Sequence, residues 1–341
     1  MNTSTKGYIG VLAVVAALVA AFAWAAGLFG HRQVTAQHFV NLQEGKTPHA
    51  GFRRAHAKGI CITGDFISNG NLAPFSEAQV FASGSTPFIG RYSIGGGNPL
   101  APDLASPVRS LALSLKQTDG QQWRTAMNTP PVLAVGTPEA FFQQLQALQP
   151  DPATGKPDRA RLGAFFAQHP ESQAFLAWQK GYKPTNSFAT EQFHSINAFY
   201  LVDPQGKRHA VRWAAVPLAD AAPPLDASNA NALQDELRGR LKQGPVQYAL
   251  TFTFANPEDM IDNGAIPWEG ERKTIVAGTL SIKTAEDQST GSCNNVNFDP
   301  LVLPSGLDAS NDPILRARGS AYAESFRRRA RETFLEAATA S

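Results

Sequence analysis

An α+β domain built on an antiparallel β-barrel is the fold class this 341-residue chain predicts. Three observations predict it. Short apolar runs recur between Gly, Asn, Ser and Pro clusters from residue 59 onward, apolar residues at helical spacing fill residues 137–180, and strand patterning then returns before a closing helix. Composition agrees, since 43% hydrophobic and 17% charged residues support a sizeable core and exclude disorder. A net charge of +2 excludes nucleic-acid binding by charge alone. No period of roughly 20 to 50 residues repeats, which excludes a solenoid or propeller.

Residues 7–30 contain no charged side chain. A spanning helix takes about 20 apolar residues and a signal-peptide core about 7–15, so length favours an uncleaved transmembrane helix over residues 1–32. The small residues around Ala23 and Ala25 leave cleavage open. Lys6 precedes the span and His31 and Arg32 follow it, a bias that keeps the short leader in the cytoplasm. The expected location is therefore the bacterial inner membrane, single-pass, with one domain over residues 33–341 in the periplasm.

Within that domain, Gly59–Ile67, Gln79–Ala82, Phe88–Ile94 and Leu111–Leu115 read as strands, with turn chemistry at Ser68–Asn71 and Gly95–Pro99. Helical spacing follows at Phe141, Leu145 and Leu148, then at Leu162, Phe165 and Phe166, then at Phe175, Leu176 and Trp178. Ile196–Val202 and His209–Trp213 form a hairpin about Asp203-Pro204-Gln205-Gly206. Asn229–Leu241 reads as a helix, and Gln247–Phe254 and Lys273–Ile282 as strands. Asn311-Asp312-Pro313 places a capping side chain before a first-turn proline, so a last helix starts there and runs toward Ala338. Cys61 and Cys293 fit either one disulfide or two free thiols, and the free-thiol reading is preferred.

Two segments carry the chemistry. His56 lies in Arg54-Ala55-His56-Ala57-Lys58-Gly59 with Arg53 just before it, and a histidine near neutral pKa can take and return a proton. Far downstream, Arg318 and Tyr322 stand four apart on the last helix, so both project from one face. A surface histidine in a basic patch and a core aromatic stripe (Leu315, Tyr322, Phe326) are the bland alternatives. The order and spacing of the two segments outweigh them.

These residues resemble the catalase superfamily, and in particular its short catalase-related peroxidases, over roughly residues 38 to 331. Arg53, two residues, His56 and Ala57-Lys58-Gly59 are similar to the family's distal motif. Arg91-Tyr92-Ser93 resembles its R-F-S, Val108-Arg109-Ser110-Leu111-Ala112 its V-R-G-F-A, and Phe298-Asp299-Pro300 its F-D-P stretch. The resemblance implies haem b (iron protoporphyrin IX) as cofactor, with Tyr322 as the metal ligand and Arg318 favouring its anion. It implies His56 as distal acid and base, Ser93 bonded to its imidazole, and Asn128 as the distal amide. Arg53, Arg91 and Arg329 would pair with the haem propionates.

The departures also bear on function. Catalases carry two asparagines before T-P, but here Met127-Asn128-Thr129-Pro130 puts methionine in the first place, and methionine donates no hydrogen bond. Ala323-Glu324-Ser325 replaces the usual P-D-T. A peroxidase that reduces peroxide with a small organic electron donor is therefore expected, with low catalase activity. An ordinary catalase, a lipid-hydroperoxide isomerase and a non-catalytic carrier of haem or an apolar ligand remain as alternatives. The partners implied are peroxide, the donor and the inner membrane, with no nucleic acid and a homodimer left open.

Overall fold

The computed structural model describes residues 3–25, 34–45 and 47–340. It divides into two units, Met1–Thr35 and Ala36–Ser341. The first holds helix α1, Thr3–Ala25. Among the described residues no helix is long and apolar enough to cross a membrane, so the expectation of a spanning anchor is not met. His31 and Arg32, expected to flank the span, lie outside the described residues.

The second unit is organised by ten strands. They are β1 (Gly59–Ser68), β2 (Gly84–Ile94), β3 (Arg109–Lys116), β4 (Gln122–Asn128), β5 (Phe193–His194), β6 (Phe199–Val202), β7 (Arg208–Pro217), β8 (Val246–Phe254), β9 (Thr274–Asp287) and β10 (Leu307–Ala309). Every pairing is antiparallel. The sheet order is β10-β6-β7-β5-β4-β3-β2-β1-β9-β8, and β7 also pairs with β8. That last pairing closes eight strands into a barrel, with β6 and β10 continuing outward from β7. Closure leaves those eight without an unpaired edge.

Strand periodicity explains the core. Along β8 the buried positions are Val246, Tyr248, Leu250, Phe252 and Phe254, alternate residues that share one face. They meet Phe81, Trp123 and Trp213 in the interior, where the Trp123 and Trp213 rings lie 5.4 Å apart and edge-on. Gln79–Ala82, expected as a strand, is instead a short 3-10 helix over Gln79–Phe81. Val80 and Phe81 are buried there, but the Val80 amide donates to the Gln117 side chain at 2.6 Å rather than to a ladder. A short apolar run does not distinguish the two outcomes.

Six helices complete this unit: α2 (Ala36–Glu44), α3 (Pro138–Ala147), α4 (Arg159–Gln168), α5 (Gln173–Gly181), α6 (Ala232–Leu241) and α7 (Pro313–Ala340). The start of α7 is fixed as its sequence predicts, since Asp312 Oδ1 accepts from the amides of Ile314 and Leu315 at 2.9 and 3.2 Å. Helix α2 is tied to α7 by charge. Glu44 pairs with Arg54 at 3.0 Å and with Arg328, and Arg54 also pairs with Glu332. Phe39 of α2 packs edge-on against Phe142 of α3 at 5.3 Å.

Phe252 is fully buried in the barrel. Phe252→Ala should lower unfolding free energy by about 3–5 kcal/mol in urea titrations. A change within the ~0.5 kcal/mol usual for surface sites would contradict its placement.

Candidate active site

His56 sits in the loop that enters β1, with a left-handed backbone (φ 53°). Its neighbours clamp that loop. The Ala57 amide donates to the Gly96 carbonyl at 2.9 Å, and buried Lys58 donates to the Ala230 carbonyl at 2.6 Å while pairing with Asp103 at 3.3 Å. Gly59 is required by close approach, because a Cβ there would lie 2.2 Å from the Tyr92 carbonyl oxygen.

The imidazole Nδ1 lies 3.1 Å from Ser110 Oγ, and that hydroxyl donates to Asn128 Oδ1. With its only proton committed to Asn128, Ser110 has just lone pairs to offer, so the neutral ring carries its proton on Nδ1 and leaves Nε2 as base. Burial pushes the His56 pKa down from 6.5 to about 4, the charges of Arg91 and Arg318 push the same way, and a bond to the Ile94 backbone opposes them. The ring is therefore neutral at neutral pH.

Helix α7 supplies the second group. Arg318 Nη2 stands 3.5 Å from the Tyr322 hydroxyl, and its guanidinium carbon is 5.8 Å from the centre of that ring. Arg318 also donates to Asn197 Oδ1 at 2.8 Å and to the Ala126 carbonyl at 3.1 Å. Asn197 in turn donates to Asp312 Oδ2 at 2.8 Å, so a chain of contacts runs from a helix-capping carboxylate to the phenol. Asn197 follows Ile196, whose φ of 64° is rare for a β-branched residue. The Asn197 amide donates to the Ser195 carbonyl at 2.8 Å across that bend, a strained three-residue turn.

Arg53, Arg91 and Arg329 form a third group. Arg53 donates to the Cys293 and Val296 carbonyls at 3.0 and 2.9 Å, Arg91 to the Ala57 carbonyl and Gln288 Oε1 at 3.1 and 2.6 Å, and Arg329 to the Asn294 carbonyl at 2.8 Å. Burial lowers all three. Arg53 falls well below the ordinary arginine value, helped by Arg91 and Arg329; Arg91 falls to about 9, helped by Arg329; Arg329 falls to about 10, helped by Arg54. Among the described residues none of the three has an ion-pair partner, and the Nε atoms of Arg91 and Arg329 are buried without a hydrogen bond.

One cavity of about 260 Å³ joins these groups. The barrel side contributes His56, Ser93, Ser110 and Asn128; α7 contributes Arg318 and Tyr322; Arg53, Arg91 and Arg329 also border it. Phe298, Ile314, Phe141 and Phe39 make much of the remaining wall apolar.

All eight residues singled out from the sequence thus border one space, but one detail differs. The bond to the imidazole comes from Ser110, not Ser93. Register puts Ser93 opposite Ser110 and Ser110 opposite Asn128, so the three share a face, and Ser110 holds the Nδ1 contact. Met127 is fully buried in the barrel core and also lines the cavity, as its place in the distal segment implies, while the next residue, Asn128, presents the amide beside Ser110. The preferred free-thiol reading is also overturned, because Cys61 and Cys293 form a disulfide with 5.3 Å between their Cα atoms. Sequence reasoning missed Asn197 as a contact of Arg318. Its signal was an amide within the otherwise apolar run Ile196–Phe199.

The sequence model of the catalase family matches residues 36–337. A catalase-related peroxidase of Synechococcus elongatus is 34% identical over 93% of this chain and 95% of its own length. One of Mycolicibacterium paratuberculosis is 30% identical over 82% and 89%. Among solved structures, a bacterial catalase superposes with a TM-score of 0.72 at 20% identity, over 89% of this chain and 62% of that one. A fungal catalase gives 0.73 at 17%, over 82% and 60%. With a family match across nearly all of the second unit, the chain belongs to the catalase family.

Proposed function

We propose that this protein is a haem-dependent peroxidase that reduces hydrogen peroxide or organic hydroperoxides with electrons from a small organic donor. The observation that carries this reading is the shared cavity, which brings His56, the Arg318–Tyr322 pair and three carboxylate-free arginines together. These residues suit iron porphyrin. Tyrosine is an accepted haem-iron ligand, apolar walls suit the ring faces, and dehydrated guanidiniums with spare donors suit its carboxylates. Haem b is the form taken in this reading.

When bound, the iron supplies the electrons that cleave the peroxide bond. The chain's own residues do the rest. Tyr322 would hold the iron through its phenol oxygen, with the Arg318 charge beside that oxygen and the Asn197–Asp312 contact fixing the guanidinium. Arg53, Arg91 and Arg329 would take the propionates. His56 Nε2 would accept the proton of one peroxide oxygen and return it to the other, which leaves as water from hydrogen peroxide or as the alcohol from an organic hydroperoxide. Ser110 keeps the ring in the tautomer this needs, Asn128 orients the peroxide, and Ser93 adds a hydroxyl to the same wall.

Peroxidase is favoured over catalase by the relatives that match this chain at nearly full length, both described as catalase-related peroxidases. The distal wall agrees, since the amide beside Ser110 comes from Asn128, and Met127, which also lines the cavity, adds no donor. A second peroxide is then weakly oriented as reductant. The reading extends to export into the periplasm, an oxidising compartment that suits the buried Cys61–Cys293 disulfide.

Donor oxidation should outpace oxygen release when purified haem-loaded protein is given hydrogen peroxide; the reverse ranking would overturn the peroxidase reading. Tyr322→Phe should abolish haem retention or shift its absorbance spectrum, and an unchanged spectrum would count against the ligand. Because His56 must be neutral to act, kcat/KM should stay level across neutral pH and fall as pH drops through about 4. A break near the ordinary histidine value of 6.5 would show that burial and the two arginines do not act as argued.

A further inference from the structure

One irregular segment, residues 288–296, holds the three arginines assigned to the propionates, Arg53, Arg91 and Arg329. Gln288 Oε1 accepts from Arg91 at 2.6 Å, the Cys293 and Val296 carbonyls accept from Arg53 at 3.0 and 2.9 Å, and the Asn294 carbonyl accepts from Arg329 at 2.8 Å. The segment has no strand or helix of its own. Its internal bonds are turns, such as Asn294 N to Gly291 O at 3.1 Å and Val296 N to Cys293 O at 3.2 Å. Gly291 N to Asp287 O at 2.7 Å and Gln288 Nε2 to the Ala57 carbonyl at 3.1 Å tie only its first half to β9 and the His56 loop, so these bonds do not fix where Cys293 to Val296 lie relative to the barrel.

The disulfide supplies that position. Cys61 is the third residue of β1, five after His56, and Cys293 sits near the middle of the segment. Both are fully buried, and they form an apolar cluster with Phe298 against which Val296 and Tyr322 pack. Gly291 lets the segment run this close, since a Cβ there would stand 2.7 Å from Cys61 Sγ. The bond thus joins the strand that follows His56 to the carbonyls that hold Arg53 and Arg329.

We propose that Cys61 and Cys293 are positioning residues for the cofactor, and that their disulfide sets the arginine cradle by pinning residues 288–296 to β1. This rests on the haem reading above. The guanidiniums repel one another and, among the described residues, none has an ion-pair partner, so carbonyl oxygens are their main compensation. Once the segment is free to move, the donors that should meet the propionates lose their fixed geometry. The disulfide is then a device for retaining haem as well as for stabilising the fold.

The test measures the rate at which haem leaves the holo-protein for excess apomyoglobin. Parent, Cys61→Ala/Cys293→Ala and Cys61→Val/Cys293→Ala are compared, the last refilling the apolar cluster without the bond. Haem should leave both variants roughly tenfold faster or more, the scale expected when groups behind a ligand set are lost. Arg53→Lys, which speeds loss from the parent, should add little in either disulfide-free background. Equal rates in parent and variants, full recovery in the valine variant, or a fully additive Arg53→Lys effect would each overturn the proposal. If neither variant folds, reduction of the folded holo-protein by tris(2-carboxyethyl)phosphine gives the same reading, and haem that stays bound after both thiols are freed overturns it. A parent that takes up no haem overturns the haem reading and this proposal together.

Discussion

Three buried cations without a carboxylate among them set the terms for everything around the cavity. A buried ion left unpaired costs several kcal/mol, and like charges nearby add to that. Backbone carbonyls at residues 57, 293, 294 and 296, with the Gln288 amide, offset part of the cost. The offset is incomplete, as the orphaned Nε atoms of Arg91 and Arg329 show. An anionic group entering this space meets donors that are already dehydrated and already held. Little ordering is left to do, and that is the physical meaning of preorganisation here.

The barrel makes such a cavity affordable in a chain of this size. Three consecutive strands put Ser93, Ser110 and Asn128 in one cross-strand row, and a closed sheet resists the slip that would scatter them. The strain is concentrated at the cavity. Among the described residues, His56 and Ile196 alone have left-handed backbones without being glycine, and both border it. Each bend costs on the order of 1–3 kcal/mol. Clamps on either side hold His56 in place, and the Ser195–Asn197 bond spans the other bend.

What the sequence made legible was local. His56 and the arginine before it lie within one short segment, and Arg318 and Tyr322 are related by one helical turn, so spacing alone places each pair. The start of α7 could be read from Asp312-Pro313 for the same reason. What it hid depends on partners far away in the chain. Whether Ser93 or Ser110 meets the imidazole is decided by a pairing between strands. Gln122–Asn128 itself escaped notice, being a strand with polar residues at both ends. The disulfide joins positions 232 residues apart, a distance no composition argument can bridge.

Helix α2 gives the domain a functional amino-terminal limit. Phe39 and Gln43 are part of the cavity wall, and Glu44 is one of two carboxylates on an arginine that is only 2% exposed. Trimming the chain past Thr35 would therefore do more than shorten it. It would admit water to an apolar chamber and leave Arg54 with Glu332 alone, and Arg328 with Glu324 alone. The first nine residues of the second unit are as much a part of the chamber as the barrel is.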